Sequence, residues 1–248
     1  MAASPSRVIM PGMDVHLAVA AAAVGAGAVS QAVTGFGFSL VSAPFLVAAA
    51  AAPRGVEWNL VLSAGLNLVL LARGWRLVRW AEVGRLLVPA LVATVGVGYV
   101  ARHADHRVLT VTAGSLCLLA TALAASGWRR RRRPGTGGAV VAGGISGAMN
   151  VVAGIGGPPV VVYGLTAGWA ADVARPTLQA FFFGINAVAI PSLGVTSVPP
   201  VLPIALVLGI VGGLIVARRL SEPAVRGAVL AIAAAGSTLA ILRGVGVL

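Results

Sequence analysis

Two glycine-rich interruptions break long apolar runs in this chain: Gly35-Phe36-Gly37-Phe38 and Gly154-Ile155-Gly156-Gly157-Pro158-Pro159. A helix that stops and restarts inside an apolar run leaves backbone N–H groups unpaired at the restart, beside the positive end of the helix dipole. Such an end takes an anion without help from lysine or arginine. Gly37, Phe38 and Ser39 surround the first restart, and Gly156, Gly157 and Pro158 the second, with Gly35 and Gly154 opening each break. Two breaks that face each other would enclose one small anion from both sides. Pro158 suits the first turn of a restarting helix, where its missing N–H costs nothing. Glycines also let helices pack closely, but packing alone does not call for consecutive prolines.

Four side-chain amides accompany the breaks. Gln31 and Asn150 lie shortly before them, and Asn67 and Asn186 sit at mid-helix positions further on. Each can donate to an oxyanion oxygen, and each can equally hold two helices together in a bilayer. Ser39, Thr34 and Ser63 are weaker candidates, because small hydroxyls can satisfy their own helix backbone. All six acids, Asp14, Glu57, Glu82, Asp105, Asp172 and Glu222, fall at segment ends or in loops. Proton and cation carriers usually hold a carboxylate within the membrane, so this distribution argues against a cation substrate. Three histidines and a lone Cys117 make no metal-ligand cluster and no internal disulfide. No nucleophile with a base stands out, so neither an enzyme nor a cofactor is expected.

The elements that must position these groups follow from composition. At 58% hydrophobic residues and a mean hydropathy of +0.98, the chain has more apolar surface than a water-soluble domain of its length can bury. Apolar segments read near 14–34, 57–72, 82–101, 108–128, 138–153, 173–190, 198–217 and 224–242, with shorter runs after each break near 38–52 and 158–169. None alternates as barrel strands do, so the expectation is an all-α polytopic membrane protein with eight to ten helical segments. The alanine-rich first run is read as a retained helix rather than a cleaved signal, because it continues into the Gly35 break. The net charge of +12 is carried by arginine in short loops, which fits membrane topology better than nucleic-acid binding. Trp58, Trp75, Trp80, Trp128 and Trp169 fall near span ends, as an interfacial belt requires.

A shift of 119 places superposes Gly25 on Gly144, Gly35 on Gly154, Gly37 on Gly156, Gly65 on Gly184 and Asn67 on Asn186, with Gln31 on Asn150. The organisation expected is a first repeat over 1–128, an arginine-rich linker over 129–137 and a second repeat over 138–248. If each break only kinks a spanning helix, the arginines divide weakly between the two sides. If each break turns the chain back, residues 14–52 and 138–170 become hairpins. Thirteen arginines (73, 76, 79, 85, 129–133, 175, 218, 219, 226) then share one side and five (7, 54, 102, 107, 243) the other. The hairpin arrangement obeys the positive-inside rule more strongly. It gives each half three crossings plus a hairpin, and hence opposite orientations for the halves, inverted repeats with both termini outside and the arginine-rich loops cytoplasmic.

The stretch Gly35-Phe36-Gly37-Phe38-Ser39-Leu40-Val41-Ser42-Ala43-Pro44-Phe45-Leu46, with Gly154-Ile155-Gly156-Gly157-Pro158-Pro159-Val160 later, resembles the duplicated signature of the TauE/SafE family of sulfite and organosulfonate permeases. The resemblance extends to segment number and order over nearly the whole chain. It implies a plasma-membrane transporter that moves small sulfur oxyanions, such as sulfite, thiosulfate or sulfonates, by alternating access around the two breaks. Phe38 departs from the family pattern, which usually runs to a further glycine there, and a bulkier residue could narrow the first break. The partners expected are a small anion and the lipid bilayer, with a homo-oligomer left open. The competing reading is a membrane scaffold that moves no solute.

Overall fold

The computed structural model describes residues 11–126, 135–193, 197–216 and 222–247. Within them the chain is helical: α1 (Pro11–Thr34), α2 (Phe38–Ala50), α3 (Arg54–Ala72), α4 (Trp80–Arg102), α5 (His106–Ser126), α6 (Thr136–Ala153), α7 (Gly157–Thr166), α8 (Ala171–Leu193), α9 (Val201–Val216) and α10 (Glu222–Val245). No strand occurs among the described residues. Trp128, the arginines 129–133 of the expected linker, and Arg7, Arg218 and Arg219 lie outside them. Seven helices, α1, α3, α4, α5, α6, α8 and α10, contain stretches long and apolar enough to cross a membrane, while α2, α7 and α9 are shorter.

The breaks are turns and not kinks. Gly35 (φ 84°) and Gly154 (φ 70°) adopt left-handed backbone, a conformation a side chain disfavours, and so end α1 and α6. Their N–H groups bond alike, Gly35 to the Gln31 carbonyl and Gly154 to the Asn150 carbonyl, each at 2.8 Å. Beyond the first turn α2 runs back along α1. Gly27 lies against Phe38, Ala23 packs with Val41 and Phe45, and Leu17 shares a cluster with Ala49. Beyond the second turn α7 runs back along α6, with Ala139 and Ala142 clustered with Val160 and Tyr163.

The hairpins open at opposite ends of α4. At the open end of the α1–α2 hairpin the Ala48 carbonyl accepts from Arg243 at 2.5 Å, Ala52 N–H donates to Thr110 at 3.2 Å, and His106 bonds the Ala52 carbonyl at 3.0 Å. These partners include the start of α5, next to where α4 finishes. At the open end of the α6–α7 hairpin the Tyr163 hydroxyl donates to Glu82 at 2.8 Å, in the first turn of α4. A helix of 23 residues separates these points by roughly 34 Å.

The halves interlock through pairs of helices, one from each. Gly143 and Gly147 of α6 lie directly on the carbonyls of Leu86 and Ala90 of α4, so those helices run side by side in the same direction. Gly209 and Gly213 of α9 meet Gly25 and Val29 of α1 in the same way. Small residues four apart give two helices this close approach where lipid offers no hydrophobic drive to associate. α3 packs against α8, and α5 against α10, Gly114 lying against Ala240 and Ile241. Val88, Val92, Val95 and Tyr99 of α4, and Ile204, Leu208, Val211 and Ile215 of α9, form the exposed apolar exterior that a bilayer would cover.

Trp75 and Trp80 are exposed next to the α3–α4 connection, as an interfacial belt predicts. Trp169 is not part of that belt. It is 8% exposed, packs on Gly164 and meets Tyr163 edge-on at 5.8 Å, closing the turn after α7.

Candidate functional site

Both turns reach into one interior cavity of about 470 Å³. Its wall includes Gln31, Gly37, Ser39, Asn150, Gly156, Gly157, Pro158 and Asn186 among the twelve candidates. Gly35, Phe38, Asn67 and Gly154 stand behind that wall. Phe38 is fully buried in a cluster with Val24, Leu46, Leu62 and Leu66, on the side of α2 away from the cavity. The rest of the lining adds the hydroxyls Ser30, Thr34 and Ser63 and an apolar majority from the turns and from α2, α5, α7, α8 and α10, with Phe36, Leu123 and Phe182 among it. Among the described residues no Asp, Glu, Lys, Arg or His lines the cavity. At the end nearest the open side of the α6–α7 hairpin the lining includes Leu165, 51% exposed.

The amides near the first turn form a chain whose direction can be read unambiguously. The Gly35 carbonyl, which can only accept, receives a hydrogen bond from Gln179 Nε2 at 2.9 Å. Gln179 Oε1 therefore faces Gln31 Nε2, at 3.1 Å. Gln31 Nε2 also donates to Asn67 Oδ1 at 2.8 Å, and Asn67 Nδ2 donates to Ser63 Oγ at 3.2 Å. At the other end Phe38 N–H, which can only donate, bonds Gln31 Oε1 at 3.0 Å. Gln31 thus caps the restarting helix α2 with its own side chain.

The second turn repeats part of this pattern. Asn150 Nδ2 donates to Asn186 Oδ1 at 2.9 Å, the pair that a shift of 119 makes equivalent to Gln31 and Asn67. Ser146 Oγ donates to the Gly156 carbonyl. The Gly154 carbonyl accepts from Asn59 Nδ2 at 2.9 Å, just as Gly35 accepts from Gln179. Asn59 belongs to α3 of the first half and Gln179 to α8 of the second, so each half holds the turn of the other. Asn59 also donates to Ser39 Oγ at 3.1 Å and accepts from Ser42 at 2.6 Å.

Asn59 and Gln179 were not among the sequence candidates. A signal was present: Asn59, Ser63 and Asn67 recur every four residues on α3, and Gln179 and Asn186 are seven apart on α8, so each set shares a helix face. Thr34 satisfies its own backbone, donating to the Ser30 carbonyl at 2.9 Å. Ser63 does not; its oxygen is occupied by Asn67. Among the described residues no group of three His, Cys, Asp or Glu side chains could hold a metal ion.

No match was found among curated proteins or among solved structures. A family model described as sulfite exporter TauE/SafE matches residues 19–240, a range that contains both turns, the amide pairs beside them and every residue that lines the cavity. The chain belongs to the sulfite exporter TauE/SafE family.

Proposed function

We propose that this membrane protein, from a family of anion transporters, is a secondary carrier of small sulfur oxyanions, sulfite, thiosulfate or an organosulfonate. It would work by alternating access around the two turns. The observation that carries this reading is the single neutral cavity onto which both turns project, walled by dipolar groups and apolar side chains. A charge-free wall of this kind suits a solute that must be bound and released, since dipoles attract an anion without burying a fixed charge that is costly whenever the site is empty. Pro158 and Pro159 leave few N–H groups at the second restart, so the helix dipole and side-chain donors supply most of the attraction there.

The opposite openings of the hairpins support reading the halves, 1–128 and 138–248, as inverted repeats. With the arginine-rich loops taken as cytoplasmic, the cavity's Leu165 end faces the cytoplasm, and the conformation corresponds to an inward-facing state. Plasma-membrane location and external termini belong to the same reading.

Purified protein in liposomes should move sulfite down its gradient. Replacing Gly156 or Asn186 by leucine should abolish flux while the variants still purify as folded, monodisperse protein. Unaltered flux in both would remove the cavity from the transport path, and absence of flux in the wild type would favour a non-transporting scaffold.

A further inference from the structure

The first turn's amide chain ends in two serine hydroxyls, and the direction of that chain decides what they offer to the cavity. Ser63 and Ser39 both line it. Ser63 Oγ receives Asn67 Nδ2, and Ser39 Oγ receives Asn59 Nδ2. A hydroxyl has one hydrogen to donate and a limited set of lone pairs, so an oxygen that already accepts from an amide directs its hydrogen elsewhere. Among the described residues neither hydrogen has a protein acceptor, including the carbonyl four residues back that helical serines commonly use. The free direction is the cavity.

The orientation is not a matter of choice between amide flips. Two backbone groups anchor it: the carbonyl of Gly35, through Gln179 and Gln31, and the N–H of Phe38, through Gln31. The carbonyl of Gly154 anchors Asn59 in the same manner. In the second half the position equivalent to Ser63 is Phe182, so no hydroxyl intervenes and Asn186 itself reaches the wall. Its Oδ1 accepts from Asn150 Nδ2, and among the described residues its own Nδ2 has no protein acceptor.

We propose that Gln31, Asn59, Asn67 and Gln179 are positioning residues that fix the polarity of the site. They hold Ser39 and Ser63 as hydrogen donors, and with Asn186 these select an anion rich in acceptor oxygens over any cation. This rests on the anion-transport reading and specifies how the site discriminates. Hydrogen-bond chains polarise one another in a low dielectric, so three donors aimed at one space attract negative charge without a formal positive one. Each serine oxygen keeps one further lone pair, but with its hydrogen and the Asn186 amide free the three groups together favour an acceptor-rich anion.

The test is thermal stabilisation of the purified full chain by sulfite, with potassium chloride at matched ionic strength as the cation control, run beside liposome flux. Sulfite should raise the melting temperature of the wild type, and potassium should not. Ser63→Ala should weaken the apparent sulfite affinity by about threefold or more, and Ser63→Thr, which keeps the hydroxyl, should restore it. Asn67→Asp replaces the amide donor by an acceptor, turns the Ser63 hydrogen away from the cavity, and should weaken sulfite by about tenfold.

The cycle is decisive in the Ser63→Ala background. There Asn67→Asp should add less than about twofold, because no hydroxyl remains to turn. An undiminished effect of Asn67→Asp in that background would overturn the proposal, since the charge alone would then be acting. Should Asn67→Asp fail to fold, Ser39→Ala with Ser63→Ala carries the test, and full sulfite stabilisation in that double variant would equally overturn it. Sulfite stabilisation with the stated serine dependence but without flux would sink the transporter reading and leave the polarity standing.

Discussion

The two helix interruptions solve one problem in different ways. Each stops a helix at a left-handed glycine whose N–H bonds four residues back, and each has its glycine carbonyl held by an amide from the opposite half. They part at the restart. The first turn needs a second positive-φ glycine, Gly37 at φ 111°, and caps the new helix with Gln31. The second has Gly156 at φ −91°, an ordinary conformation, and follows it with two prolines that have no N–H to satisfy. One turn meets the freed donors and the other deletes them. Surplus backbone polarity in a membrane interior can be handled by either route, and the routes carry different risks on mutation.

The largest contrast is expected at the capping amides. Gln31→Leu strands Phe38 N–H, Asn67 Oδ1 and Gln179 Oε1 together and should lower stability by about 3 kcal/mol, whereas Asn150→Leu strands only Asn186 and should cost about 1 kcal/mol. Chemical or thermal denaturation in detergent measures both, and equal losses would break the comparison. Next come the glycines. Gly37→Ala forces a side chain onto φ 111° with its Cβ 2.7 Å from Ser30 Oγ, for a loss of about 2 kcal/mol, while Gly156→Ala at ordinary φ should lose about half that.

A smaller effect tests the deleted donors. Pro158→Ala restores an N–H to the first turn of α7 at the cavity wall; stability should change by less than about 1 kcal/mol, with sulfite affinity unchanged or improved. A large destabilisation would show that the prolines pack rather than delete. The smallest contrast lies at the equivalent glycines Gly65 and Gly184. A methyl at Gly65 meets nothing within 4 Å, so Gly65→Ala should stabilise α3 by up to about 1 kcal/mol. At Gly184 the methyl would come 3.0 Å from the Leu87 side chain, which must shift, so the gain should vanish. Melting temperatures of the two variants, compared directly, check this.

Much of this architecture was legible beforehand. The apolar segments matched the helices closely because a bilayer leaves the backbone no alternative to internal hydrogen bonding over that length. The breaks were legible because glycine and proline act locally. The rare amides that a shift of 119 pairs in the sequence are hydrogen-bonded in the structure as Gln31–Asn67 and Asn150–Asn186. What escaped were Asn59 and Gln179, whose partners are 95 and 144 residues away and belong to the other half of the chain. A side chain that serves a distant carbonyl leaves only a faint periodic trace in its own helix. Trp169 escaped for a related reason: its place near a span end suggested an interfacial ring, but Gly164 leaves room for it inside.

The residues alone therefore determined where the chain is helical, where it must stop, and that the stops come as a pair, because each depends on neighbours a few positions away. Only the fold decided that the stops are complete turns, that both project onto one cavity, and which way Gln31, Asn59 and Gln179 point. Those are matters of mutual placement, set by glycine contacts between helices and by backbone groups that can only donate or only accept.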